Sequence, residues 1–126
     1  MADTRLQVGR LAEEQAAVFL CRAGYRIYER NYRNTLGEID IIAWEGKTLC
    51  FIEVKARRSR RFGLPEEAIS PFKQRQLSKV ALAFLKEKHL LEVKARFDVF
   101  AMIKDADTTQ NKLIKNAFEL DSYFSY

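Results

Sequence analysis

Four charged side chains stand inside two segments that otherwise read as buried strands: Glu38 and Asp40 in EIDIIAW (38–44), and Glu53 and Lys55 in TLCFIEVKAR (48–57). Side chains alternate along a strand, so Glu38 shares a face with Asp40, and Glu53 shares one with Lys55. A tight turn at Glu45-Gly46 would pair Trp44 with Lys47, Ile42 with Leu49, Asp40 with Phe51 and Glu38 with Glu53. All four charged residues then lie on one face, and Ile39, Ile41, Cys50, Ile52 and Val54 on the other. Three carboxylates crowded on a half-buried sheet repel one another and lose hydration, and one ammonium cannot neutralise them. A divalent cation could. Oxygen donors without histidine favour magnesium or manganese over zinc, and magnesium keeps most of its positions for water and substrate phosphate. Such a set, Glu38, Asp40 and Glu53 around one cation, suits phosphodiester hydrolysis. The plainer alternative is a strand face with ordinary cross-strand ion pairs. Glu-x-Lys alone is a weak motif; its joining to Glu-x-Asp across one hairpin, and to a basic run directly downstream, favours a site.

That run, Lys55–Arg61 (KARRSRR), is basic at five of seven positions, a density expected where a chain meets phosphates. Arg57, Arg58, Arg60 and Arg61 are its candidate contacts. Lys73 and Arg75, with Gln74, open a helix whose first-turn N–H groups also favour an anion. A solvated loop is the plainer alternative, and charge alone does not separate DNA from RNA or an acidic protein. The charge is uneven: residues 1–104 hold 20 Lys/Arg against 13 Asp/Glu, and 105–126 hold 2 against 4.

The elements that must position these residues follow from periodicity. A helix over about 4–23 carries Val8, Ala12, Ala16, Phe19 and Ala23 at helical spacing and stops at Gly24. On it Glu13 borders the apolar stripe, whereas Glu14 lines up with Gln7 and Arg10 and reads as a solvated partner of Arg10. Glu13 is therefore the helix carboxylate turned towards the sheet, or else a boundary glutamate with its head in water. Strands over about 26–33, 38–44 and 48–57 form an antiparallel meander. Ser70-Pro71 starts a second helix running to about Lys88, with Leu77, Val80, Ala81 and Phe84 on its buried face, and a strand over about 95–104 follows. The order helix, three strands, helix, strand implies an α+β or mixed α/β fold, a mixed central sheet flanked by helices. Residues 105–126 read as a weakly patterned acidic extension of the same single domain, apart from LIKNAF.

Composition narrows the chemistry further. A chain of 126 residues, 48% hydrophobic and 31% charged, buries a core without disulfides or structural metal. Cys21 and Cys50 lack metal-ligand spacing and His89 is the only histidine, which argues against structural zinc and against Ser-His-Asp or Cys-His catalysis. No apolar run approaches the ~20 residues that span a bilayer, and the start is polar, so the expected location is cytoplasmic with no membrane partner.

The string Gly9-x-x-Ala12-Glu13-x-x-Ala16, then Gly24-Tyr25, Asn31-x-Arg33, Gly37-Glu38-Ile39-Asp40, Phe51-Ile52-Glu53-Val54-Lys55-x-Arg57, Phe62-Gly63-x-Pro65, Glu67-Ala68, Lys73 and Arg96-Phe97-Asp98 closely resembles the YraN-like family of small bacterial proteins, over roughly residues 5–104. That family is placed in the restriction-endonuclease-like superfamily, near the archaeal Holliday-junction resolvases. The resemblance implies an α-β-β-β-α-β core. It makes Asp40 the metal-binding aspartate, Glu53 and Lys55 the (D/E)-x-K pair, and Glu13 the first-helix glutamate; Ile39 stands where the superfamily motif has proline. The expectation is a Mg²⁺- or Mn²⁺-dependent endonuclease acting on DNA, branched or structured forms included, its cation held by Asp40, Glu53 and the Val54 carbonyl with Glu13 or Glu38 as further carboxylates, and with RNA and a homodimer left open. Its rival is a non-catalytic nucleic-acid-binding or protein-interaction module that keeps the fold and uses the basic loop without the carboxylates.

Overall fold

The computed structural model describes residues 5–57, 69–105 and 107–119; Arg58, Arg60 and Arg61 lie outside them. The described chain runs α1 (Arg5–Arg22), β1 (Arg26–Asn34), β2 (Gly37–Glu45), β3 (Thr48–Arg57), α2 (Pro71–Glu87), β4 (Ala95–Asp105) and β5 (Thr108–Phe118). The strands form one sheet in the order β1-β2-β3-β4-β5, antiparallel throughout except between β3 and β4. Parallel neighbours need a crossover, and α2 lies on it. This is the mixed sheet with flanking helices that the periodicity implies. Among the described residues no helix is long and apolar enough to cross a membrane.

Each helix covers one face. Ser70 caps α2, its Oγ accepting the Lys73 N–H at 3.1 Å, and Pro71 stands in the first turn, where its missing N–H is no loss. Leu77, Val80, Ala81 and Phe84 then pack on Ile39, Ile42, Leu49, Phe51 and Phe97. Across the sheet, Ala12, Ala16 and Leu20 of α1 meet Ile41, Ala43, Cys50, Ile52, Phe100 and Met102. With both faces covered, β3 has no solvent side for most of its length, which is why 49–52 are buried without alternation.

Three departures from the sequence reading bear on function. The segment read as a weakly patterned extension carries a full edge strand, β5, antiparallel to β4. The β2–β3 turn is Gly46-Lys47, so Glu45 pairs with Thr48 and Ile42 with Phe51. Gly46 has φ 59°, the positive value that a two-residue hairpin matched to the strand twist requires at its first central position. Relative to a turn at Glu45-Gly46, every partner moves by two residues, which pairs Phe51 with Ile42 in place of Asp40 and leaves Asp40 just beyond the last regular pair, Ile41 with Ile52. Finally, Ile39 and Ile41 do not share a face: Ile39 belongs to the α2-side core and Ile41 to the α1-side core. They pair with Tyr32 and Arg30, which flank Asn31, and Asn31 has φ 55°. A left-handed residue inside a strand locally breaks the pleat. The kink lies beside Asp40.

Candidate active site

From their turn, β2 and β3 pair regularly as far as Ile41 opposite Ile52. Beyond that point Asp40 Oδ2 accepts the Val54 N–H at 2.8 Å, a donor that a regular ladder would give to a backbone carbonyl of β2. The Asp40 carboxyl thus sits in the fork where the two strands part.

The other charged groups converge on this fork from different elements. On β3, Glu53 and Lys55 alternate onto the same side as Phe51, with Lys55 Nζ 3.7 Å from Glu53 Oε1. Burial raises the Glu53 carboxyl above the ordinary range; Lys73 of α2 and Lys55 oppose that rise and Glu38 adds to it. Asp40 is pushed up to about 7, first by burial and next by the charge of Glu53, with Glu13 and Glu38 adding and the Val54 N–H working against them. Glu13 therefore acts on Asp40 from α1, one of the two positions its helical phase left open, and Glu38 acts from β2 itself while paired with Arg33 at 3.2 Å. Glu14 is exposed as expected, but its partner is Arg30 of β1 at 2.8 Å, not Arg10, because α1 crosses the sheet next to that strand. Arg57 closes β3, and Lys73 and Arg75 lie in the first turns of α2.

Two partly buried carboxylates that repel each other are a donor set that a hard divalent cation stabilises, and Asp40 and Glu53 supply it. Among the described residues no three acidic, histidine or cysteine side chains already converge as a complete cage. A cation held by Asp40 and Glu53 would keep open positions for water and a phosphate oxygen.

The raised Asp40 carboxyl fixes the sign of a pH effect. Its unfolded value lies near 4, and in the folded protein it is about 7, so between these values the folded chain binds the extra proton. Stability that is full below pH 4 is lost as pH rises through 7. Asp40→Asn keeps an acceptor for Val54 and removes the charge. In metal-free buffer at pH 8 it is expected to raise the melting temperature by roughly 5 °C, about 1 kcal/mol in a domain of this size, and the gain should vanish at pH 4. A melting curve for Asp40→Asn equal to or below wild type at pH 8 would count against the repulsion.

Two features escaped the sequence reading. Arg96, Asp98, Tyr25 and Glu45 form a largely buried network near the β2–β3 turn; its signals were Asp98, a charge inside an apolar strand, and the Gly24-Tyr25 and Arg96-Phe97-Asp98 motifs, whose joining the sequence does not show. Phe72 is 70% exposed at the start of α2. On the helix it lies about 130° away from the stripe of Leu77, Val80, Ala81 and Phe84, a phase visible in the sequence.

Residues 12–102 match the uncharacterised protein family UPF0102. The chain is 50% identical over 115 residues to a UPF0102 protein of Syntrophus aciditrophicus, covering 91% of each. It is 52% identical over 114 residues to one of Geobacter sulfurreducens, covering 90% of this chain and 89% of that protein. A UPF0102 protein of Desulforapulum autotrophicum is 45% identical over 121 residues, 96% of this chain and 100% of its own length.

Proposed function

This chain belongs to the uncharacterised protein family UPF0102, and from the site it carries we propose that it is a divalent-cation-dependent endonuclease, hydrolysing phosphodiester bonds in DNA, branched or otherwise structured DNA included. The observation that carries this reading is the Asp40 carboxyl held in the β2–β3 fork against Glu53, with the Lys55 ammonium 3.7 Å from Glu53. Asp40, Glu53 and the Val54 carbonyl would hold Mg²⁺ or Mn²⁺. When bound, the cation orients the attacking water and offsets the charge that builds on the phosphate. Val54 donates to Oδ2 of Asp40 and so fixes that carboxyl before any ligand arrives. Lys55 places a positive charge beside the same carboxylates, where as the ammonium it positions the water and neutralises the pentacovalent phosphate, and where only its neutral amine form could instead take the proton of the water. Glu13 joins from α1 as an outer carboxylate or a ligand of a second cation. Arg57, Lys73 and Arg75, with Arg58, Arg60 and Arg61 of the adjoining basic run, supply contacts to the sugar-phosphate backbone.

The test is a cleavage panel of single-stranded, duplex, flap and four-way-junction DNA in Mg²⁺, Mn²⁺ or EDTA. Cleavage of at least one substrate, lost in EDTA, is the expected result; tight binding with no cutting in either metal would make the protein a non-catalytic module instead. Binding carries its own expectation. Replacing Arg57, Arg58, Arg60 and Arg61 by Gln should lower affinity for every sequence alike, and reduce the slope of log K against log salt by about 0.9 for each duplex phosphate that is no longer neutralised. An unchanged slope would remove the basic run from the interface.

A further inference from the structure

Beside the proposed active site, a groove runs between the β1–β2 turn and the outer side of α2, lined by Thr35, Leu36, Phe72, Arg75, Gln76 and Lys79. Its volume of about 340 Å³ is at the small end of ligand-sized cavities, room for one planar group but not for a duplex. The groove is built on a fixed floor. Leu36 donates its N–H to Asn34 Oδ1 at 2.8 Å, and its carbonyl accepts from Gln76 Nε2 at 3.4 Å. Gly37 has φ 152°, and a Cβ there would come 3.1 Å from Val80 Cγ2, so the turn is seated directly on the helix.

Its lining combines two chemistries. Phe72 and Leu36 are 70% and 45% exposed, an aromatic and an aliphatic side chain left in water side by side. Arg75 and Lys79 share the groove with them, and on the helix Phe72, Arg75, Gln76 and Lys79 fall within about 100° of one another. An exposed ring flanked by cations matches a nucleobase with its own phosphates: the ring offers a face for stacking, and the cations track the backbone. An apolar partner would make no use of the positive charge that Arg75 and Lys79 bring to the groove. The position is also apt, since Lys73, the residue after Phe72, acts electrostatically on Glu53.

We propose that this groove captures one unpaired nucleobase by stacking on Phe72, with Arg75 and Lys79 on the adjacent phosphates, so that the protein selects DNA with a single-stranded segment next to the bond presented to Asp40 and Glu53. The proposal deepens the nuclease reading and rests on it for the nature of the ligand. It assigns specificity to structure, not sequence, because every base has a face to stack.

The experiment measures binding of fluorescein-labelled DNA in EDTA, which separates recognition from cutting. Wild type, Phe72→Ala and Phe72→Trp are compared on a blunt duplex and on the same duplex with a single-stranded tail, the tail also being made with abasic sites. Phe72→Ala should weaken tailed-DNA binding roughly 10-fold, within the range for loss of one base stack, while blunt-duplex affinity changes less than about 2-fold. Phe72→Trp should restore the tailed affinity. The abasic tail should bind wild type as weakly as the intact tail binds Phe72→Ala, with no further loss when the two are combined. Phe72 is mostly exposed, so both variants should melt with wild type. If wild type binds the DNAs but Phe72→Ala binds the tailed one equally well, the stacking site is wrong and the nuclease reading survives; if wild type binds none of them, both fall together.

Discussion

Lys55→Met is expected to abolish cleavage while leaving DNA affinity within about 3-fold of wild type, a loss of roughly 10²–10³ in rate if its charge acts on the transition state. Lys55 Nζ lies 3.7 Å from Glu53 Oε1, with 26% of its side chain accessible, so the ammonium is close to the carboxylates and still open to an incoming phosphate. Removing it leaves Asp40, Glu53 and Val54 to hold a cation, and leaves the arginines to hold the backbone. Asp40→Asn should behave differently, losing cation affinity and cleavage together because a charged oxygen ligand is gone. The contrast separates a group that acts on the reaction from one that holds the metal. If the two residues were only parts of a strand ion pair, Lys55→Met would shift stability by about 1 kcal/mol at most and change no activity. Single-turnover cleavage and Mn²⁺ titration calorimetry on both variants read the difference. Wild-type rates from Lys55→Met would end the catalytic assignment whatever the fate of the fold.

Arg96→Met should be the most damaging single change to the fold outside the apolar core. Asp98 is fully buried in β4 and accepts from Arg96 Nε at 2.9 Å, from the Asn116 N–H at 2.9 Å and from Tyr25 Oη at 3.3 Å. Arg96 in turn donates Nη2 to Tyr25 Oη at 2.7 Å and to Glu45 Oε1 at 2.6 Å, and Lys115 reaches Glu45 at 2.7 Å. These contacts join the residue before β1, the end of β2, β4 and β5. Burial and the Asp98 charge hold the Tyr25 phenol well above its usual range, while the Lys115 and Arg96 hydrogen bonds hold Glu45 below the usual carboxylate range. Without Arg96 the Asp98 carboxylate keeps only neutral donors, and breaking a buried pair from one side costs about 3–5 kcal/mol, or a fall of roughly 10–20 °C in melting temperature for a domain of this size. Arg96→Met combined with Asp98→Leu should recover part of the loss, since removing both charges strands neither. A loss below about 1 kcal/mol from Arg96→Met, read by urea unfolding, would mean that the Arg96–Asp98 pair does not hold these elements together.

The two helices and four of the strands were legible because their signals are local. A 3.6-residue period with Ser70-Pro71 at its start marks α2, and short β-branched and aromatic runs broken by NTLG and EGK mark the meander. The candidate site was legible for a related reason: a charge inside an apolar strand is conspicuous, and alternation places Glu53 with Lys55 whatever the rest of the chain does. Family resemblance added Glu13, whose helical phase alone left it evenly placed between the sheet and water.

β5 carries no comparable signal. It is held to β4 by backbone hydrogen bonds, most of its side chains are exposed, and its apolar contacts are confined to Leu113, Ile114, Ala117 and Phe118. An edge strand of that kind has the composition of a loop until a partner strand is present. The two-residue shift at the β2–β3 turn was invisible for another reason: Glu45-Gly46 and Gly46-Lys47 give the same faces, and only the positive φ that Gly46 adopts at the first central position decides between them. Residue types and alternation thus determined by themselves which side chains could do chemistry. What only the tertiary structure decided was how they meet. The left-handed Asn31 beside Asp40, the parting of β2 from β3, and the Val54 N–H freed there turn an aspartate that alternation would leave on one face into the point where carboxylates from α1, β2 and β3 act together. That convergence depends on backbone dihedrals and strand register, which no single residue's chemistry encodes.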